Sequence, residues 1–206
     1  MQTFLPYTDF RKSLESLDNK RLGKQRVEAY QIISAITGRP KKNGQPYKGW
    51  TSHPCSVMWR DYVNALKQYY NDCIDVWVER GFKNTMQHEH IEGEFVLPHW
   101  LGTEEFHSSH RANLLRKDSE YYSKHGWTED PNDPYVWMDD KGLWYKQMVG
   151  SKERVFFKPN LILETVGPIK RVQLQLLRCR RLKRRNKKSK RKKCDQYYSL
   201  TEMVWY

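Results

Sequence analysis

No stretch of the chain approaches the run of about 18 apolar residues that a membrane-spanning helix requires. The first residues, Met-Gln-Thr-Phe-Leu-Pro, lack the basic-then-apolar layout of a secretory leader. An intracellular protein without a membrane partner is therefore expected. Cysteine is scarce: Cys55, Cys73, Cys179 and Cys194 stand apart with no CxxC, which fits neither a disulfide framework nor a cysteine-held zinc. They read as reduced thiols, with Cys73 in the core. There is no internal repeat. Apolar residues make up only 38% of the 206, so the eight Trp and thirteen Tyr must supply much of the core.

Acid is missing from one region in particular. Between Thr165 and Cys194 there are fourteen Lys and Arg and no Asp or Glu, whereas residues 1–164 hold 23 basic and 22 acidic side chains. The net charge of +13 thus sits in the tail, on a nearly neutral body. Twelve of the sixteen residues from Arg178 to Lys193 are basic, among them Arg178, Arg180, Arg181, Lys183, Arg184 and Arg185. Such density suits salt-dependent, non-specific attachment to DNA, with RNA as a second partner, and is equally compatible with a nuclear-localisation signal. The body is itself polarised: residues 1–60 carry eleven Lys and Arg against four acids, which points to an anion-binding surface near the N-terminus.

Three main helices are expected. Leu22, Arg26, Ala29, Ile33 and Ile36 recur at helical spacing after Asp18, and Gly38 and Pro40 close the segment. A longer helix is predicted over 54–80, with Pro54 in its first turn, Gly81 as its C-cap, and Met58, Tyr62, Leu66, Tyr69, Cys73 and Trp77 as its apolar stripe. Thr103, followed by Glu104 and Glu105, predicts a third helix running to about Asp118. Residues 126–168 read as loops with short strands, the best candidates being Val155–Phe157 and Leu161–Leu163. The expected architecture is mostly α: one compact helical domain over 1–140, a loop-rich extension over 141–170, and a flexible basic tail over 171–206.

On the first helix Arg21, Gln25 and Glu28 share one face, flanked by Lys24 and Arg26. Spacing alone leaves two readings, an ordinary surface ion-pair array or an anion site with one carboxylate embedded in it. His88-Glu89-His90, with His107 and His110 at i, i+3, raises a metal-dependent nuclease or nucleotide hydrolase, although no suitably spaced third ligand accompanies them. No metal and no cofactor are expected. Trp50, Trp59 and Trp100 could stack on a flipped base or lie in the core. His110 could equally pack inward with Leu114.

The segment RLGKQRVE, Arg21 to Glu28, resembles the catalytic helix of the phage-type pyrimidine-dimer DNA glycosylase, endonuclease V. The order of other parts agrees: Arg80-Gly81-Phe82 after the middle helix, Leu97-Pro98-His99, Ser109-His110-Arg111-Ala112, and Tyr121-Tyr122. MQTFLPY, LDNKRLGKQRVE, LPHWLG, HRANLLRKD and PYVW look still more like the cellular and viral branch of that family, over roughly residues 1–140.

This resemblance implies a DNA repair enzyme, monomeric, acting on damaged double-stranded DNA in the nucleus, another DNA-containing compartment or a virion. It further implies base release by an N-terminal amine through an imine, then strand nicking by β-elimination. Glu28 would be the catalytic carboxylate, and Arg21, Lys24, Gln25, Arg26, Arg111 and Lys117 would contact DNA. In the phage enzyme the amine belongs to a threonine exposed by methionine removal. Here residue 2 is Gln, whose bulk disfavours that removal, so the amine is that of Met1. A non-catalytic nucleic-acid-binding or packaging protein on the same fold is the alternative.

Overall fold

The computed structural model describes residues 1–40, 43–45 and 49–159. The basic tail, the DNA-contact candidates within it, Cys179, Cys194 and the candidate strand Leu161–Leu163 lie outside the described residues.

The protein is mostly α. Its chain order is α1 (Phe10–Glu15), α2 (Asn19–Thr37), α3 (Pro54–Trp59), α4 (Val63–Glu79), α5 (Glu104–Lys117) and α6 (Ser119–Tyr122), followed by β1 (Tyr135–Met138), β2 (Trp144–Gln147) and β3 (Val155–Phe157). The strands form an antiparallel meander in the order β1-β2-β3, with Trp137 opposite Tyr145 and Tyr145 opposite Phe156. The compact unit spans Met1–Asn160. β1 and β2 pair across residue 140, within that unit.

α2 begins and ends where its sequence requires. The Asp18 carboxylate accepts the Arg21 N–H, and Gly38, at φ 67°, takes the left-handed C-cap conformation. The helix expected over 54–80 is two helices. Trp59 C=O accepts the Tyr62 N–H at 2.8 Å in a tight turn, and Tyr62 leaves helical geometry at φ −131°, ψ 41°. The turn frees α3 to direct Trp59 inward, where its indole N–H donates to Thr3 Oγ1 at 2.9 Å. Its ring meets Trp100 edge-on, with centroids 4.9 Å apart. Trp59 and Trp100 are therefore core residues, at 1% and 0% exposure, and only Trp50 of the three tryptophans considered above lies at the surface. Phe10, Tyr69 and Phe106 extend this aromatic centre, each large buried side chain contributing about 1.5–3 kcal/mol. Cys73 and Cys55 are buried free thiols.

α2 meets α4 at Gly23, where a Cβ would stand 3.0 Å from Trp77 Cζ3. Trp77 cannot readily retreat. Its ring stacks on Phe82 at 4.2 Å, Arg26 lies over it at 4.1 Å, and its N–H donates to Lys83 O at 3.0 Å. Gly23→Ala should gain about 1 kcal/mol of helix propensity but lose more to overpacking, for a net destabilisation of about 1 kcal/mol. The urea midpoint reads this directly, and an unchanged or raised midpoint would mean that Trp77 yields.

Candidate active site

The first six residues form an extended segment buried among the helices: Gln2, Thr3, Phe4 and Leu5 are each under a tenth exposed. Buried backbone groups need partners, and here side chains supply them. Glu28 Oε2 accepts the Gln2 N–H at 2.8 Å, and Gln25 Oε1 accepts the Phe4 N–H at 3.0 Å. Tyr69 Oη lies 2.7 Å from Gln25 Oε1 and 3.0 Å from Phe4 O. Both polar groups of Leu5 are taken by histidines of α5: His110 Nδ1 accepts its N–H at 2.8 Å, and His107 Nδ1 donates to its carbonyl at 2.7 Å. Arg111 donates to Pro6 O at 2.9 Å.

These bonds fix the histidine tautomers. Burial pushes the His110 imidazole well below its ordinary 6.5, and His107 down as well, so both rings are neutral at neutral pH. With Nδ1 accepting, His110 carries its proton on Nε2, which lies 3.2 Å from the Gln2 side-chain amide. The atom placed there is the amide nitrogen, also a donor; turning the amide over so that Oε1 faces the ring pairs that proton and gives the buried Gln2 Oε1 the donor it lacks. His107 has the opposite tautomer, its Nε2 accepting the Gly102 N–H at 3.0 Å. Both nitrogens of both rings thus serve the fold. His88 pairs with Asp75 and His90 with Glu92 at the surface. Among the described residues no group of three or more His, Cys, Asp or Glu is placed to hold a metal.

Beside this segment opens a cleft of about 640 Å³, ample for a nucleotide. Met1, Gln2 and Phe4 line it, and α2 contributes Lys20, Arg21, Lys24, Gln25 and Glu28. Lys117 comes from the end of α5 and Arg154 from the connection before β3. Glu28 is the one carboxylate among the lining residues, facing a field of five cations. Arg21 is tethered to Asp18 at 2.6 Å and to Lys117 O at 2.9 Å, while Lys20 and Lys24 are exposed. Partial burial, together with Arg21 and Arg116, pulls the Lys117 ammonium below the usual lysine range.

The cleft also has an aromatic lining, His53, Tyr135 and Trp137, with the His53 and Trp137 rings 6.0 Å apart. Burial, aided by the N-terminal ammonium, pushes His53 down to about 4. Its Nδ1 accepts the Cys55 N–H at the start of α3, at 3.2 Å.

The expected site residues divide. Met1, Arg21, Lys24, Gln25, Glu28 and Lys117 come together in the cleft. Gln25 is there as a buried anchor of Phe4, at 1% exposure. Arg26 is not among the lining residues; it packs on Trp77 and donates to Asn84 Oδ1 at 2.8 Å. Arg111 is absent too, bound to Glu129 at 2.5 Å, to Glu104 and to Pro6 O. Helical spacing identified neighbours on a face but not what docks there. Lys20, His53, Tyr135, Trp137 and Arg154 were missed; of these only Lys20, one turn before Lys24, had a sequence signal.

Residues 1–90 match the pyrimidine dimer DNA glycosylase family. The matched segment covers the buried N-terminal residues, α2 with Glu28, α3 and α4, and so supports the family to which the sequence is similar. A glycosylase family of this kind acts on DNA, and hence in a DNA-containing compartment. No curated protein and no solved structure matches the chain. Among the described residues no helix is long and apolar enough to cross a membrane.

Proposed function

We propose that the protein releases the base of a pyrimidine dimer in duplex DNA and then nicks the strand at the resulting site. The observation that carries this reading is the 2.8 Å bond from the Gln2 N–H to Glu28 Oε2. It holds the residue next to Met1 against the cleft's carboxylate in a cationic pocket.

The α-amine of Met1 attacks the C1′ carbon of the damaged nucleotide. The glycosidic bond breaks with its electron pair leaving on the base, and ring opening gives a protonated imine. Removal of a proton from C2′ then expels the 3′ phosphate oxygen. Glu28 stabilises the positive charge that develops on the sugar and moves protons in the later steps. Lys20, Arg21, Lys24, Lys117 and Arg154 meet phosphates, and the aromatic lining receives an unstacked base. Arg178, Arg180, Arg181, Lys183, Arg184 and Arg185 add a non-specific, salt-sensitive hold on DNA. RNA can compete for this hold.

Borohydride trapping tests the proposal, using a duplex with one cyclobutane pyrimidine dimer beside undamaged and abasic duplexes. The expected result is a covalent adduct on the dimer duplex, mapped to Met1. The abasic control matters because any accessible amine of a basic protein can condense with an open sugar. Firm binding with neither adduct nor nicking would instead make the protein a non-catalytic DNA binder.

A further inference from the structure

The cleft has a wall outside the family-matched segment. The connection between β2 and β3 contributes Met148, Val149, Gly150 and Ser151 to its lining, with Gln147 and Arg154 at its two ends. Ser151 N–H donates to Met148 O at 3.0 Å, and Gly150 stands at φ 81°, the conformation required at the third position of a type II turn. Gln147 Nε2 donates to Ser151 O at 2.7 Å, and Ser151 Oγ accepts the Glu153 N–H at 3.0 Å. The turn is thus braced by its own bonds.

Its corner residues are chemically out of place. Turns usually carry small polar residues, yet here two adjacent apolar side chains stand at the lip, Met148 51% and Val149 59% exposed. Lys146, Lys152 and Arg154 flank them, and Lys20, Lys24 and Lys117 line the same cleft. An apolar point within a cationic rim matches one surface in particular. In a nucleic-acid duplex, stacked bases lie between two rows of phosphates, and apolar side chains wedged between base steps kink the helix.

We propose that Met148 and Val149 form a wedge that enters the duplex at the lesion and holds open the step from which a nucleotide moves into the cleft. The inference rests on reading the cleft as the site of action on damaged DNA. It assigns recognition of the lesion's weakened stacking to the sheet.

The test uses the full chain with Met148→Ser and Val149→Ser combined, and Met148→Leu as the size-preserving control. The probes are a dimer duplex carrying 2-aminopurine beside the lesion, an abasic duplex and an undamaged duplex. The double variant should lose the fluorescence rise on binding and nick the dimer duplex at least about tenfold more slowly. Processing of the abasic duplex, which has no base to displace, should stay within about threefold, as should binding to undamaged DNA. Met148→Leu should behave as wild type. A full fluorescence rise and full nicking in the double variant would overturn the proposal, as would equal losses on dimer and abasic duplexes with an unchanged urea midpoint. If the wild-type protein neither nicks nor traps, the glycosylase reading fails. The fluorescence response still decides the wedge, because it requires binding alone. Wild-type binding to the dimer duplex without a fluorescence rise would leave the apolar tip to a protein or lipid partner.

Discussion

Glu28→Gln is expected to slow single-turnover nicking of a dimer-containing duplex by about 100- to 10,000-fold, the range for loss of a positioned acid-base group. The substitution is nearly isosteric, and the amide oxygen can still accept the Gln2 N–H that Glu28 Oε2 now accepts at 2.8 Å. The N-terminal segment therefore stays in place and only the charge is lost. Binding should move the opposite way. Glu28 is the one carboxylate among the lining residues of a cleft with five cations, so its neutralisation removes a repulsion toward phosphate. Undamaged duplex should bind as tightly or more tightly. Parallel measurements of nicking and of equilibrium binding separate the two effects. A variant that nicks at the wild-type rate would remove Glu28 from the mechanism, and one that loses binding and nicking together would show a structural role instead.

His110→Ala should cost about 3–4 kcal/mol in urea denaturation, combining a cavity in the core with polar groups left unpaired. His110 is 0% exposed, and its two nitrogens satisfy the Leu5 N–H and the Gln2 side chain. Asn at this position restores an acceptor near the Leu5 N–H and should recover part of the loss. A drop below about 1 kcal/mol would mean that the N-terminal segment is held adequately without it.

The same histidines predict a pH dependence. His107 and His110 are neutral in the fold, with pKa values lowered by burial from the ordinary 6.5. The unfolded chain takes up these protons first. Stability is therefore full above about pH 7 and declines as pH falls from 6.5 toward the folded values, by at most about 1.4 kcal/mol per pH unit for each ring. With Ala at position 110 the slope below pH 6.5 should be shallower.

Much of the helical frame was legible because its signals are local. Asp18, Gly38, Thr103 and the periodic apolar residues between them bound α2 and α5 almost to the residue. The division of α3 from α4 was not legible, since no Pro or Gly marks Tyr62; the turn answers a tertiary demand, the burial of Trp59. α1 and α6 are too short to show a period. Of the sheet, only Val155–Phe157 stood out. In the site, the face carrying Arg21, Gln25 and Glu28 could be read from spacing, but the partners of Gln25 and Arg111 could not. Both hold residues more than twenty positions away in the sequence.

The buried N-terminal segment also has a consequence in time. Residues 1–6 are made before His107, His110 and Arg111, which hold Leu5 and Pro6 and follow about a hundred residues later. At about 5–20 residues per second, the segment waits roughly 5–20 s for its anchors to be made. Until then Glu28, Gln25 and Tyr69 can hold only Gln2 and Phe4, and the polar groups of Leu5 and Pro6 have no side chain to bind. The matched residues 1–90 contain Glu28 and Gln25 but neither the histidines that hold Leu5 nor Lys117 and Arg154 of the cleft. A truncated product ending before α5 would keep the partners of Gln2 and Phe4 but leave Leu5 and Pro6 without the side chains that seat them.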